Sequence, residues 1–293
     1  MNNYARDENG WPLTRLVNHP ERHYQVQTIH GDAVQLWAGV TSVTKDTENV
    51  EILKTWFLNK GLDLLWSSPL DVPEGTVERE EDPDTGEVND VPLTKAKLFK
   101  RARKAGPQAL NQAGNFGNIV HNTIQAHLTS DNWRHPIGLE TAIRPNEPRR
   151  EEALTALWLW NHWWGKMRVK RLIAVERPIC SERYGYAGTP DLVFEDEDGR
   201  VVLCDWKTSK RIYGSYLLQA GAYAEAALEF GLVIDIVQIV RTDVAKGRLD
   251  IVTATHPDIA SYGHMFLHAL AHWRNLQTTP LKLKQGTTYV KPK

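Results

Sequence analysis

Residues 188–207 read GTPDLVFEDEDGRVVLCDWK, and three of them have types that could do chemistry together: Asp191, Asp205 and Lys207. Asp205 and Lys207 are two apart at the end of an apolar run. In an extended strand they share a face, with Trp206 pointing the other way. The polar stretch Glu195–Arg200 is a turn midway between Asp191 and Asp205, so a hairpin sets the two carboxylates side by side. Two carboxylates supply oxygen ligands for a hard divalent ion such as Mg²⁺ or Mn²⁺. Such an ion acidifies a bound water and offsets charge on a phosphate. A lysine beside it orients the water and stabilises developing negative charge. The plainer reading is an edge-strand salt bridge. An acid–x–lysine pattern arises by chance about twice in a chain of this length; here it occurs once, at a strand end. Adjacent carboxylates also repel without a cation between them, which favours the metal.

Those residues must be held by a sheet. Leu172–Ile179, Tyr184–Phe194 and Arg200–Trp206 read as three strands. A helix follows over Ser215–Phe230, with Gly231 as its cap, then strands Leu232–Val240 and Leu249–Thr253 and a helix over Pro257–Leu276. Upstream, His23–Ile29 and Ala33–Trp37 flank a Gly31-Asp32 turn as a hairpin, and Thr44–Trp66 has an approximate helical stripe. Residues 67–92 combine prolines with an acidic run and read as a surface loop. Thr94–Lys104 reads as a basic helix ended by Gly106-Pro107, which starts a second helix to Leu128. Residues 130–148 read as loop, and Arg149–Met167 as a helix with Leu154, Leu157, Trp158, Asn161 and Trp164 on one face. Its tryptophans suit core packing better than base stacking. The fold class is α/β: residues 1–105 form an N-terminal hairpin and helical cap, and residues 106–293 the core.

Composition narrows the function classes. The net charge of −1 excludes a uniformly basic nucleic-acid binder. Charge is nevertheless uneven: Glu74–Asp90 is acidic, whereas Lys97, Lys100, Arg101 and Lys104 make a basic stretch that can guide DNA or be a solvated helix face. Cys180 and Cys204, the two cysteines, lie in apolar stretches and read as small buried residues; two cannot hold an iron–sulfur cluster. No apolar run approaches a membrane span, and the N-terminus lacks the features of a signal peptide. A cytoplasmic protein with no membrane partner is expected.

Several short motifs, in order, carry a resemblance. Gly188-Thr189-Pro190-Asp191-Leu192 resembles a G-x-x-D strand, Asp205-Trp206-Lys207-Thr208-Ser209 a D-W-K-T-S strand end, Gln219-Ala220-Gly221-Ala222-Tyr223 a Q-x-x-x-Y helix, and Gly117-Asn118-Ile119-Val120-His121 a G-x-x-x-H helix. With the Val40–Thr44 segment they resemble the PD-(D/E)xK nuclease superfamily. Within it they resemble the RecB-like exonucleases, the group of the mitochondrial genome-maintenance exonucleases and phage relatives. The resemblance covers about residues 40 to 230.

The resemblance implies a restriction-endonuclease-like core, with a mixed central sheet flanked by helices and an N-terminal helical cap. It implies a metal-dependent deoxyribonuclease acting from single-stranded ends in DNA recombination, repair or replication, with a partner protein of those processes. His121 would join Asp191, Asp205 and the backbone carbonyl of Trp206 around Mg²⁺ or Mn²⁺. Lys207 would orient the water, and Gln219, Tyr223, Thr208, Ser209 and Lys210 would contact substrate. Lys210 and Arg211 would hold a phosphate or mark a helix entry, and Glu176 would support the metal or form a strand salt bridge. On residue types alone His121 reads better as a hydrogen-bonded histidine beside Ile124 and Leu128; the motif reverses that preference. The chain departs from some relatives in lacking four cluster-binding cysteines, and from the commoner pattern in having Asp at 205 where Glu is usual. An endonuclease, and a non-catalytic DNA-binding module on a nuclease fold, remain open alternatives.

Overall fold

The computed structural model describes residues 7–8, 11, 15–18, 23–27, 34–46, 77–81 and 87–278. In chain order its elements are β1 (Arg15–Asn18), β2 (His23–Gln27), β3 (Val34–Gly39), α1 (Val40–Asp46), β4 (Val77–Glu81), β5 (Val88–Pro92), α2 (Lys95–Leu128), α3 (Leu139–Ala142) and α4 (Arg150–Trp164). There follow β6 (Val169–Val175), β7 (Ile179–Ser181), β8 (Tyr186–Gly188), β9 (Leu192–Asp196), β10 (Val201–Lys207), α5 (Gly214–Glu229), β11 (Ile236–Asp243), β12 (Arg248–Thr255) and α6 (Asp258–Thr278).

The central sheet has five strands in the order β12-β11-β10-β9-β6. It is mixed: β10 runs parallel to β11, and the other neighbours are antiparallel. The parallel step needs a crossover, which α5 supplies. Period-two alternation sends the two faces into two cores. Leu192, Phe194, Val202, Cys204 and Trp206 pack with α2 and α4, while Val193, Leu203, Val237 and Ile239 pack with α1, α5 and α6. This is the restriction-endonuclease-like arrangement of a mixed sheet flanked by helices. A second sheet, β1-β2-β3-β8-β7, includes the expected N-terminal hairpin as β2 and β3.

Several boundaries differ from the sequence reading. The acidic stretch is not wholly loop: β4 and β5 pair antiparallel within it. Gly106-Pro107 does not divide two helices, since α2 is one helix of 34 residues. Pro107 withholds one N–H from the ladder. The helix is anchored on either side of it, by its Thr94 cap and by buried Phe116, Val120, Ile124 and Leu128. It crosses residue 105, where the sequence reading divides cap from core. The loop at 130–148 contains α3. The buried residues of α4 are Ala153, Ala156, Leu157, Leu159, Trp160, Trp163 and Trp164, whereas Trp158 is 47% exposed against His162. The strand expected over Leu172–Ile179 breaks at Glu176, where φ is 47°. The one over Tyr184–Phe194 breaks at Thr189-Pro190-Asp191, so β7 and β8 join the second sheet. The helix expected over Thr44–Trp66 meets the described residues only at the end of α1, which begins at Val40; residues 47–66 lie outside them, as do 67–76 of the acidic stretch and the tail from 279.

Helices α5 and α6 cross where both are glycine. A Cβ on Gly221 would lie 2.5 Å from the Gly263 nitrogen and 2.6 Å from the Tyr262 carbonyl carbon, both backbone atoms that cannot step aside. Gly221→Ala should therefore lower the unfolding free energy in urea by about 1–3 kcal/mol. Gly114→Ala, on an exposed face of α2 with nothing within 4 Å, should raise it by about 0.5–1 kcal/mol. Equal effects of the two would contradict the close crossing.

Candidate active site

Asp205 and Lys207 continue the Leu203 face of β10 to its C-terminal end. Asp205 is buried, and Lys207 Nζ lies 2.7 Å from its Oδ2. Asp191 sits immediately before β9, and its Oδ2 accepts a 2.9 Å hydrogen bond from the Trp206 backbone N–H. That bond extends the β9–β10 register beyond the Leu192–Cys204 pair and fixes the first carboxylate beside the strand that carries the second.

Two further side chains reach this point from other elements. His121, on α2, places Nδ1 3.6 Å from Glu176 Oε1 and 3.7 Å from Asp191 Oδ1. Glu176 follows β6 in the left-handed backbone region, and its N–H donates to the Asp191 carbonyl at 2.9 Å. A non-glycine residue there costs about 1–2 kcal/mol, and such strain recurs at functional sites. Here it turns the Glu176 carboxylate back toward His121.

One ligand atom from each of His121, Glu176 and Asp191 lies within 4.8 Å of the other two. Around an octahedral Mg²⁺ or Mn²⁺, adjacent ligand atoms are about 3 Å apart and opposite ones about 4 Å. A small closure would bring the trio into one coordination sphere, and a carboxylate-rich set with one imidazole suits these ions. The residues therefore fit a divalent metal. Asp205 lies outside this trio, paired with Lys207.

Electrostatics agree. Burial raises the Asp191 carboxyl and pushes Asp205 up to about 6, against the pull of Lys207. Burial lowers the His121 imidazole, but Asp191 and Glu176 more than offset that and raise it overall. Burial likewise opposes the Lys207 charge, yet Asp205 and Asp191 hold the ammonium firmly protonated.

The site lines a cavity of about 840 Å³. From α5, Gln219 Nε2 donates to Tyr223 Oη at 2.8 Å and reaches Thr41 of α1 at 3.4 Å. Two motif glycines have steric explanations. A Cβ on Gly188 would lie 2.5 Å from the Tyr223 ring, and one on Gly117 would lie 3.2 Å from Thr208 Oγ1. The first lets α5 close on the sheet; the second lets α2 approach the end of β10. Beyond Thr208, the carbonyl of Ser209 accepts a 2.6 Å bond from buried Arg241 of β11, while Lys210 and Arg211 are exposed.

Other expected residues are distant. Lys97, Lys100, Arg101 and Lys104 lie about 25–36 Å from His121 along the α2 axis, at 1.5 Å per residue. Lys97 and Arg101 pair with Glu78 of β4 at 3.3 and 2.6 Å. Sequence reasoning missed Asn118, Gln125 and Tyr216 as cavity-lining residues, and Arg241 as the anchor of the loop. Helical spacing carried a signal for the first three: Asn118 and Gln125 flank His121 by three and four residues, and Tyr216 precedes Gln219 by three. Arg241 had no comparable signal.

The model of the PD-(D/E)XK nuclease superfamily matches residues 95–281. The chain belongs to that superfamily. No curated protein matches it. A solved structure described as the crystal structure of SSO0001 shares 15% identity over 56% of this chain and 77% of that one, with a TM-score of 0.26. Among the described residues no helix is long and apolar enough to cross a membrane.

Binding of Mn²⁺ should raise the melting temperature, since an ion at 100 times its Kd adds about 2.7 kcal/mol. Glu176→Gln and Asp191→Asn should each weaken the affinity by about tenfold or more in calorimetric titration. Unchanged affinity in both variants would place the ion elsewhere.

Proposed function

We propose that the chain is a divalent-metal-dependent deoxyribonuclease that removes nucleotides from single-stranded DNA ends. The observation that carries this reading is one cavity holding both the His121–Glu176–Asp191 trio and Lys207. His121, Glu176 and Asp191 hold Mg²⁺ or Mn²⁺, and Asp205 and the Trp206 carbonyl contribute from β10. The bound ion acidifies a water and neutralises phosphate charge. Lys207 acts as a fixed cation that donates hydrogen bonds to the water or to a phosphate oxygen, because its neighbours keep it protonated. Gln219 and Tyr223 face the same cavity as donors to the phosphate. Thr208, Ser209 and Lys210 follow the strand end, where the next phosphate would pass. Lys97, Lys100, Arg101 and Lys104 would attract a longer strand at a distance. Action on ends, and a place in recombination, repair or replication alongside a partner protein, rest on the resemblance of the ordered motifs to those of RecB-like exonucleases.

The test compares an end-labelled linear single strand with the same strand closed into a circle, in Mg²⁺ or Mn²⁺. The linear strand should be degraded and the circle spared. EDTA should abolish the reaction, and Lys207→Ala should lower kcat by about 10²-fold or more. Cutting of the circle would make the enzyme an endonuclease. No metal-dependent cutting of either strand, of duplex DNA or of RNA would leave a binding module on a nuclease fold.

A further inference from the structure

Lys207 is the inner end of a run of alternating charge and aromatic surface. Its Nζ lies 4.9 Å from the centroid of the Tyr216 ring. Tyr216 meets Tyr213 edge to face, with centroids 5.5 Å apart and planes at 80°. The Arg211 guanidinium lies 4.8 Å from the Tyr213 centroid. Tyr216 lines the cavity; Tyr213 and Arg211 lie beyond it. Both rings are half-buried and Arg211 is exposed.

Two features argue against mere packing. Tyr213 is the N-cap residue of α5, yet its side chain makes no capping bond, so the helix start does not explain its type. Tyr213 is also absent from the apolar side chains packed on either core, whereas Tyr216 packs partly against one. The spacing is fixed regardless, since the Tyr216 N–H donates to the Tyr213 carbonyl at 3.1 Å. Paired rings flanked by cations, leading away from a phosphate-binding lysine, are the elements that hold an unpaired nucleic-acid strand.

We propose that Tyr213 and Tyr216 form a base-stacking step that receives the unpaired nucleotides beside the scissile phosphate, with Arg211 on the next phosphate outward. This rests on the nuclease reading and adds a source of strand selectivity. Bases in a duplex are already stacked and paired and cannot spread over the two rings, so the step favours single strands.

The experiment measures binding of a short single-stranded oligonucleotide carrying 2-aminopurine, scanned along the strand, with Ca²⁺ replacing Mg²⁺. The wild-type protein and Tyr213→Phe should quench the probe at the position that meets the step. Tyr213→Leu should lose that quenching and bind about tenfold or more weakly, within the range for loss of a stacked base. An abasic site at that position should weaken wild-type binding equally and Tyr213→Leu no further, while duplex binding should be alike for both. Tyr213→Leu binding intact and abasic strands as the wild type does would overturn the proposal, as would no binding of any strand. Tyr213-dependent binding without cleavage in Mg²⁺ or Mn²⁺ would keep the stacking step and remove the nuclease reading. Cleavage indifferent to Tyr213 would do the reverse.

Discussion

Burial of like charge is the constraint on which this structure turns. Asp191, Glu176 and Asp205 meet at one end of β10, with Lys207 paired to Asp205 there. Three carboxylates and one ammonium leave a formal charge of −2 when His121 is neutral. The cost shows in the carboxyl groups themselves: Asp191 and Asp205 are both raised by burial, and His121 is raised toward its charged form. A fold stable for its own sake would place apolar residues there, since buried ion pairs seldom outperform them. A divalent cation brings the formal charge to zero, and no rearrangement of the chain is needed beyond a small closure of the trio.

The scaffold answers that constraint by fixing each acid from a different direction. Asp191 is tied to the Trp206 N–H, Glu176 is turned by a left-handed backbone and tied to the Asp191 carbonyl, and Asp205 is set by strand parity. The apolar layers make these placements rigid. Trp206 is buried against the α2–α4 side while its neighbours Asp205 and Lys207 take the opposite face, so one strand packs the core and arms the site. Gly117 and Gly188 remove the side chains that would hold α2 and α5 away. Large shifts at the site would have to break one of these packed layers, because interiors are close-packed.

How much of this was legible depended on whether the signal was local. The β9–β10 hairpin was readable because the period-two run and polar turn are local properties, and the Asp205-x-Lys207 face followed from them. The continuity of α2 was misread because Gly106-Pro107 is a local breaker, while the residues beyond it pack against α4 and strands far along the chain. Glu176 shows the same limit more sharply. In Val175-Glu176-Arg177-Pro178 it looks like any strand glutamate, and nothing nearby announces a φ of 47°. Its position beside His121 depends on a break between two sheets, which no single segment encodes. The aromatic run at 213 and 216 lay in a helix entry, where tyrosines are unremarkable until the fold brings Lys207 and Arg211 against them.

Lys207 brings these levels together. Desolvation alone would drive a buried lysine toward its neutral form, in which it could act as a base. Here that tendency is overcome by Asp205 at 2.7 Å and by Asp191, and the Tyr216 ring faces the ammonium from 4.9 Å. The side chain is thus held in both charge and position before substrate arrives. A fixed cation of this kind is suited to charge that develops on a phosphate, because it need not reorganise as the reaction proceeds. It is poorly suited to accepting a proton. The chemistry proposed for the lysine follows from the same buried carboxylates that suit the site to a metal.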